Sequence, residues 1–393
     1  MTRHLVLVTH YYPGHLGGIE KVAAELSRRL ANSHGWTIKW AATRNGALPD
    51  GFPDTVQFIP AAAWNGMDKY FGVPWPIWSP TSLVVLWREI GKADLVHLHD
   101  VLYFGNAFAW LFASLRGIPV VVTQHVGSVP YHSAFIRKLH VLANRTLGRF
   151  VLSTAQQVVF ISPAVMDEFG RFCRFKSPAV YWPNGVDTEI FNPGGEFASE
   201  PVIAARREAG KHVFLFAGRF VEKKGLNILH ELAQAFPEDL WVFAGHGPID
   251  PSHWGLPNVI VVRGVSGPEL ARYYRAADLL VLPSVGEGFP LVVQEAMACG
   301  TPAMVGEETS EGCPDARAFL FVEKVGSDDT VRLWTRRLAE IVADPNQLQS
   351  MGLSASAYAQ ANWSWEKVAE RYAGLLESVV MSRKSSSPVK GRK

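Results

Sequence analysis

Cysteine is scarce here: Cys173, Cys299 and Cys313 are the only three in 393 residues, an odd number with no C-x-x-C pair. That count and spacing argue against a disulfide framework and a zinc site, and for a reducing compartment. Long apolar runs are missing too. The longest candidate, Val101 to Leu115, is interrupted by Gly105 and Asn106 and is too short to span a bilayer. The N-terminal MTRHLVLVTHYYPG is too short in apolar residues for a signal peptide and reads as a first strand. A cytoplasmic protein is expected. Net charge is also small, a formal +2, so no overall footprint for nucleic acid is visible and none is expected as a partner. The basic residues Arg383, Lys384, Lys390, Arg392 and Lys393 crowd into a Ser/Lys-rich end without an acid. Such a segment cannot bury a core, and residues 383–393 are expected to be a disordered tail.

Length sets a prior of two domains. Along the first half, short apolar strands are expected at Leu5–Val8, Thr37–Ala41, Val56–Ile59, Leu95–His97, Val120–Thr123, Val158–Ile161 and Val180–Trp182. Amphipathic helices are expected over Ile19–Leu30, Phe104–Arg116 and Ser133–Leu152. Proline and glycine become dense at Asn192-Pro193-Gly194-Gly195, which places the boundary there and gives a first domain of residues 1–191. The rhythm then restarts, with strands at Val213–Ala217, Leu240–Ala244, Val259–Val262 and Leu279–Leu282 and helices at Leu226–Phe236, Glu269–Ala276 and Leu291–Cys299. Strands alternating with helices imply parallel sheets. The fold class is α/β, two doubly wound Rossmann-like domains facing across a cleft, the cleft being the default ligand site.

The most informative stretch is Asp278–Pro302, DLLVLPSVGEGFPLVVQEAMACGTP. It reads as strand, tight loop and helix, with Pro290 where a first helical residue would stand. A helix N-terminus favours anions through its free N–H groups and dipole. Two carboxylates, Glu287 and Glu295, flank it with seven residues between them. A site that draws phosphate and also holds carboxylates fits a ligand with phosphates and hydroxyls, such as a nucleotide sugar. Earlier in the same domain, Arg219 follows a strand and Lys224 precedes a helix, a sound diphosphate grip.

In the first half, Gly17 and Gly18 lie between the first strand and helix, where a backbone can approach a ligand closely. They do not form G-x-G-x-x-G, so a dinucleotide fingerprint is not supported. His97-Leu98-His99-Asp100 ends one strand. In extended chain both histidines share a face, and a metal pair is conceivable but lacks a third ligand at a fitting spacing. His125 ends another strand and points to the cleft edge. Pro183-Asn184-Gly185-Val186-Asp187 is a turn. Between Ala61 and Trp87, aromatic residues (Trp64, Tyr70, Phe71, Trp75, Trp78, Trp87) alternate with Pro74, Pro76 and Pro80. The prolines exclude a long helix, leaving a loop over the core, an acceptor wall or a membrane-interface contact. Arg137, Lys138, Arg145 and Arg149 lie on the helix expected at 133–152, either as a solvated face or as a surface for an anionic membrane.

Together these residues resemble the family 4 retaining glycosyltransferases of the GT-B fold. The matching pieces are Gly17-Gly18, HLHD at 97–100, His125, SPAV at 162–165, PNGVD at 183–187, GRFVEKKGL at 218–226 and GHGP at 245–248. The most specific is RAADLLVLPSVGEGFPLVVQEAMACGTP at 275–302, with its Glu287-x7-Glu295 pair. The resemblance implies a hexosyltransferase moving a mannose- or glucose-type sugar from a GDP- or UDP-linked donor to a glycan or lipid-linked acceptor hydroxyl. Residues 192–362 would form the donor domain. Trp363-Ser364-Trp365-Glu366 would introduce a helix over 363–382 that crosses back to the first domain. Arg219 and Lys224 would neutralise the donor diphosphate, helped by N–H groups near Leu291 and Val292. Glu295 would accept the ribose hydroxyls. Glu287 would hold the sugar, with Gly288 and Phe289 beside it, and His125 would contact a sugar hydroxyl. No cofactor or divalent metal is required on this reading. Peripheral contact with the inner face of an anionic membrane is a further expectation. One departure concerns Ala303–Val322, AMVGEETSEGCPDARAFLFV, where only Gly312 and Asp315 fall in register with the glycine-rich turn and acid of relatives. Two other readings stay open: a nucleotide-sugar epimerase or hydrolase on the same fold, and a non-catalytic scaffold.

Overall fold

The structure is a computed structural model that describes residues 3–13, 18–44, 46–66, 75–127, 134–285 and 289–386. The chain divides into two compact units. One comprises Met1–Pro183 with Trp365–Lys393, the other Asn184–Ser364.

In the first unit, a seven-stranded parallel sheet has the order β3-β2-β1-β6-β7-β8-β9. These strands are β1 (Arg3–Tyr11), β2 (Trp36–Thr43), β3 (Val56–Ala61), β6 (Leu95–His99), β7 (Val120–Gln124), β8 (Gln157–Phe160) and β9 (Val180–Tyr181), while β4 (Ala63–Trp64) and β5 (Ile77–Trp78) form a separate antiparallel pair. Alternation along β1 assigns its side chains to two cores. Leu5 and Leu7 pack with Val22, Leu26 and Leu30 of α1 (Gly18–Ser33) and with Val368, Tyr372 and Leu376 of the C-terminal helix (Trp365–Ser386). Val6 and Val8 face the other way, onto Leu86 and Ile90 of α2 (Pro80–Ile90) and Ala109 of α3 (Phe104–Leu115). Each such fully buried aliphatic side chain contributes about 2 kcal/mol through removal from water. The C-terminal helix is held at its rims by ion pairs, Arg29 to Glu366 at 2.8 Å and Arg3 to Glu377 at 2.6 Å.

The second unit carries a six-stranded parallel sheet in the order β12-β11-β10-β13-β14-β15. Its strands are β10 (Val213–Arg219), β11 (Leu240–His246), β12 (Val259–Val262), β13 (Leu279–Leu282), β14 (Ala303–Gly306) and β15 (Phe321–Glu323). Numbered within the unit this is the order 3-2-1-4-5-6, which reverses between β10 and β13. Both sheets thus bear out the doubly wound α/β expectation.

Four local expectations are corrected. Residues 184–191 belong to the second unit, so the chain divides at Pro183/Asn184 and not at 191/192. Long-range bonds decide this: Val186 N–H donates to the Trp363 carbonyl at 2.8 Å, and Gln294 Nε2 donates to the Asn184 carbonyl at 2.8 Å. The proline-rich stretch does contain a helix, α2, because Pro80 stands at its first position, where no N–H is needed, and Ser79 Oγ accepts from Ser82 N–H at 3.3 Å. The helix expected over 133–152 is interrupted: α4 (Ala134–Ala143) passes through a π-turn at Asn144–Gly148 into α5 (Arg149–Thr154). At the end of the chain the C-terminal helix continues to Ser386, three residues past the expected start of the tail at 383, and 387–393 lie outside the described residues.

Candidate active site

Ligands of doubly wound sheets collect at the carboxyl ends of strands where the strand order reverses. In the second unit that place is the gap between β10 and β13, and the predicted donor residues of this unit gather around it. Arg219 is the last residue of β10 and is exposed. Lys224 closes a 3₁₀ turn at Glu222–Lys224 and is buried to 9% exposure. Its Nζ reaches back to within 3.9 Å of where a Cβ on Gly218 would stand, over the end of β10. Gly225 follows in the left-handed region at φ 73°, and a Cβ there would meet the Pro283 carbonyl oxygen at 2.4 Å. Only glycine combines that conformation with that approach. The Val285 N–H, beyond β13, donates to the Lys223 carbonyl at 2.9 Å. The lysine turn and the loop after β13 are thereby fastened together. Glu287 and Gly288 fall in that loop and lie outside the described residues, as does Gly17 in the first unit.

After the loop, Phe289 packs its ring 5.3 Å from that of Trp363, and Pro290 at φ −68° and ψ 141° caps α10 (Leu291–Ala298). Leu291 and Val292, half-buried, supply its first N–H groups. Glu295 lies one turn on. The fully buried Tyr274 donates its hydroxyl to Glu295 Oε2 at 2.9 Å. Burial, together with the charge of Glu295, drives the Tyr274 phenol well above its ordinary pKa, so it remains a donor. The segment where the sequence departs from its relatives folds as β14, a five-residue helix at Glu307–Glu311, a 3₁₀ turn and β15. It lines a cavity of about 340 Å³ with Ser284, Val285 and Lys324, and sets Glu307, Glu308 and Glu311 around it.

The first unit repeats the arrangement with different chemistry. Gly18 opens α1 in open space, with nothing within 4 Å of an added Cβ. Its glycine is therefore not a packing requirement. His125 follows β7, half-buried. The two histidines at the end of β6 are both fully buried and bonded within the protein. His97 Nε2 lies 2.8 Å from Thr123 Oγ1, which is 3.1 Å from Tyr372 Oη of the C-terminal helix. His99 Nδ1 lies 2.9 Å from His125 Nε2. Burial lowers the pKa of His97 and of His125 to about 3 and that of His99 well below the ordinary value, so all three rings are neutral. Asp100, at φ 65°, is a residue whose role the sequence left open. Its Oδ1 accepts from the N–H groups of His125 at 2.8 Å and Val126 at 3.0 Å. Asn106 Nδ2 donates to the carbonyls of His99 and Asp100 at 2.6 and 2.7 Å. No cluster of three or more His, Cys, Asp or Glu that could hold a metal occurs among the described residues. The aromatic stretch is divided in use: Trp78 is buried with its indole on Thr43, Trp87 lies under Arg116 at 3.9 Å, and Trp64 is exposed. PNGVD acts structurally, Asp187 Oδ1 capping the N–H groups of Glu189 and Ile190.

Known proteins carry the same two halves. Residues 16–190 match the family model for glycosyltransferase family 4, and residues 211–331 match that for glycosyl transferases group 1. The chain is 28% identical over 388 residues to D-inositol 3-phosphate glycosyltransferase 2 of Catenulispora acidiphila, covering 91% of this chain and 88% of the relative. It is 26% identical over 406 residues to the GDP-mannose-dependent alpha-(1-6)-phosphatidylinositol monomannoside mannosyltransferase of Mycolicibacterium smegmatis, covering 95% and 98%. Among solved structures, sucrose-phosphate synthase from Thermosynechococcus elongatus superposes with a TM-score of 0.70 at 18% identity, covering 97% of this chain and all (100%) of that one. Anabaena HepE in complex with UDP superposes with a TM-score of 0.69 at 16% identity, covering 96% and 100%. This chain belongs to the family 4, group 1 glycosyltransferases of the GT-B fold.

Proposed function

We propose that the enzyme moves a hexose from a nucleotide diphosphate sugar, GDP- or UDP-linked, to an acceptor hydroxyl with retention of configuration. The observation that carries this is the gathering of Arg219, Lys224, the N-terminus of α10 and the Tyr274-held Glu295 at the β10/β13 reversal. As the glycosidic bond breaks, negative charge builds on the departing diphosphate, and two fixed cations with helix N–H groups lower that barrier. Because those cations belong to the chain, no divalent metal or other cofactor is needed. Glu295, held by Tyr274, accepts the ribose hydroxyls. Glu287 holds the donor sugar, a role resting on its motif alone, and His125 contacts a sugar hydroxyl. The acceptor oxygen attacks from the face the leaving group vacates, and its proton departs with the leaving phosphate oxygen. A retaining transfer needs no protein nucleophile on this route. The names of the mannosyltransferase and of the UDP-bound HepE structure support a nucleotide-sugar donor. The reading is tested by thermal-shift titration with GDP-mannose, UDP-glucose and their free nucleotides, since a ligand of the native state raises the melting temperature by mass action. No shift with any of them would overturn it.

A second reading concerns the acceptor. Along α4 and α5, Phe135, Leu139, Leu142 and Phe150 are exposed beside Arg137, Lys138, Arg145 and Arg149, with no acidic residue between Ala134 and Thr154. Exposed apolar side chains flanked by cations suit peripheral contact with an anionic membrane. The acceptor would then be lipid-linked, as the name of the Mycolicibacterium relative states for that enzyme. No helix among the described residues is long and apolar enough to cross a membrane.

A further inference from the structure

The bond between His99 and His125 joins two neutral rings, so only one of them donates. Two arrangements are open. In the first, His99 Nδ1–H donates to His125 Nε2. In the second, His125 Nε2–H donates to His99 Nδ1, and the proton of His99 must then sit on its Nε2. His99 Nε2 is buried and has no hydrogen-bond partner. The second arrangement would thus bury an N–H with nothing to accept it, whereas the first leaves only an unused lone pair. Unmade buried donors are the rarer and costlier defect. His97 shows the same preference, with its partnered nitrogen facing Thr123 Oγ1 and its buried Nδ1 without a partner.

We propose that His99 is a positioning residue that holds His125 in the tautomer protonated on Nδ1. His125 Nε2 is then occupied as an acceptor from His99. Its Nδ1 makes no hydrogen bond among the described residues, and the ring is only half-buried, so Nδ1 is the nitrogen left for a ligand. His125 therefore offers an N–H donor to the ligand side, suited to an oxygen with a free lone pair such as a sugar hydroxyl. The backbone sets this geometry from both ends. Asn106 fixes the carbonyls of His99 and Asp100, and Asp100 Oδ1 fixes the N–H groups of His125 and Val126. The rings lie 5.1 Å apart at 20°, near parallel. Which tautomer His125 adopts is independent of the proposed function; its consequence for catalysis rests on that reading.

Two-bond proton–nitrogen correlation spectra of the full-length ¹⁵N-labelled protein read the tautomer directly, with His125 assigned from a His125→Asn variant. The wild type is expected to show His125 protonated on Nδ1. His99→Asp, whose carboxylate can only accept, is expected to move that proton to Nε2. His99→Asn, whose Nδ2–H can replace Nδ1–H, is expected to keep the wild-type pattern. A wild-type His125 protonated on Nε2, or a tautomer unchanged in His99→Asp, overturns the proposal. In turnover, His99→Leu should lower kcat/KM about tenfold, the worth of one ordinary hydrogen bond. His99→Asn should stay near wild type. In a His125→Ala background the His99→Leu loss should vanish, because the two act as one unit. An undiminished loss there means His99 acts by another route and also overturns the proposal. Wild-type turnover in His125→Ala alone would instead remove His125 from the proposed function while leaving the tautomer result standing.

Discussion

Tyr274 and Glu295 are joined by a 2.9 Å hydrogen bond, donated from full burial by a phenol that burial keeps protonated. The bond ties Glu295 Oε2, one turn into α10, to the core of the unit. Tyr274→Phe removes the donor without changing the ring that fills the core. Nucleoside diphosphate affinity should fall about tenfold, the cost of an ordinary hydrogen bond that positions a carboxylate. Binding of inorganic pyrophosphate, which has no ribose, should not change. Titration calorimetry with both ligands checks this, and equal weakening of the two would show that Tyr274 acts on the fold and not on Glu295.

Arg219 and Lys224 serve the same chemistry from different surroundings. Arg219 is exposed at a strand end, so Arg219→Ala should leave the melting temperature unchanged while lowering kcat about 10²-fold, as loss of a transition-state charge partner does. Lys224 is nearly buried over Gly218, so Lys224→Ala should lower turnover similarly and also cost some stability through lost packing of its stem. Steady-state kinetics beside differential scanning calorimetry separate the two. Near-wild-type kcat in both variants would remove the diphosphate grip.

The contrast shows what a sequence can and cannot display. β10, β13 and α10 are signalled locally, by apolar runs bounded by Pro283 and Pro290, so their shared sheet edge was legible. α2 was missed because three prolines outweighed the one placed where a helix tolerates it. The unit boundary was misplaced because it depends on the bond from Val186 to Trp363, which no composition shift marks. Likewise His97 and His99 are visible as a pair, but their partners Thr123, Tyr372 and His125 come from other strands and the last helix. Only folding shows that the pair is engaged with the protein and that Asp100 anchors His125.

Glycine positions around the lysine turn give a stability prediction. Gly225→Ala imposes a strained positive φ and drives a methyl against the Pro283 carbonyl oxygen at 2.4 Å. A loss of about 2 kcal/mol or more is expected, with the donor site distorted as well. Gly264→Ala shares the positive φ but meets nothing within 4 Å, so it should cost only the backbone term of about 1 kcal/mol. Chemical denaturation of both variants checks the difference, and equal losses would show that the close approach to Pro283 is unimportant.

The buried histidines make stability depend on pH. His97 and His125 take up a proton only near pH 3 in the folded protein, and His99 only well below its ordinary range, against about 6.5 in the unfolded chain. Below pH 6.5 the unfolded state therefore binds more protons, and stability falls as pH falls. Asp100 opposes this: burial raises its pKa to about 7 from 3.8, so between those values the folded state holds the extra proton. Three histidines against one carboxyl leave a net uptake on unfolding of about two protons near pH 5. Urea unfolding should give a lower midpoint at pH 5 than at pH 7, with a smaller difference in His125→Asn. A midpoint that is flat or rises on acidification would contradict the neutral cluster.

The basic, apolar face of α4 and α5 yields the last prediction. Each of its four cations near an anionic surface contributes about 1 kcal/mol at low salt, and that term is screened within a Debye length of about 10 Å at 0.1 M. Phe135, at 75% exposure, and Leu139 would add apolar insertion that salt does not screen. The protein should therefore sediment with phosphatidylserine-containing vesicles at low ionic strength and be largely released at high ionic strength. Phe135→Ser with Leu139→Ser should weaken binding at every salt concentration, whereas Arg145→Glu with Arg149→Glu should abolish its salt-sensitive part. Both double variants leave Arg219, Lys224 and Glu295 untouched, so donor binding measured by thermal shift should stay at wild-type strength. Failure to sediment at low salt would assign this face to solvent and the acceptor to the soluble phase.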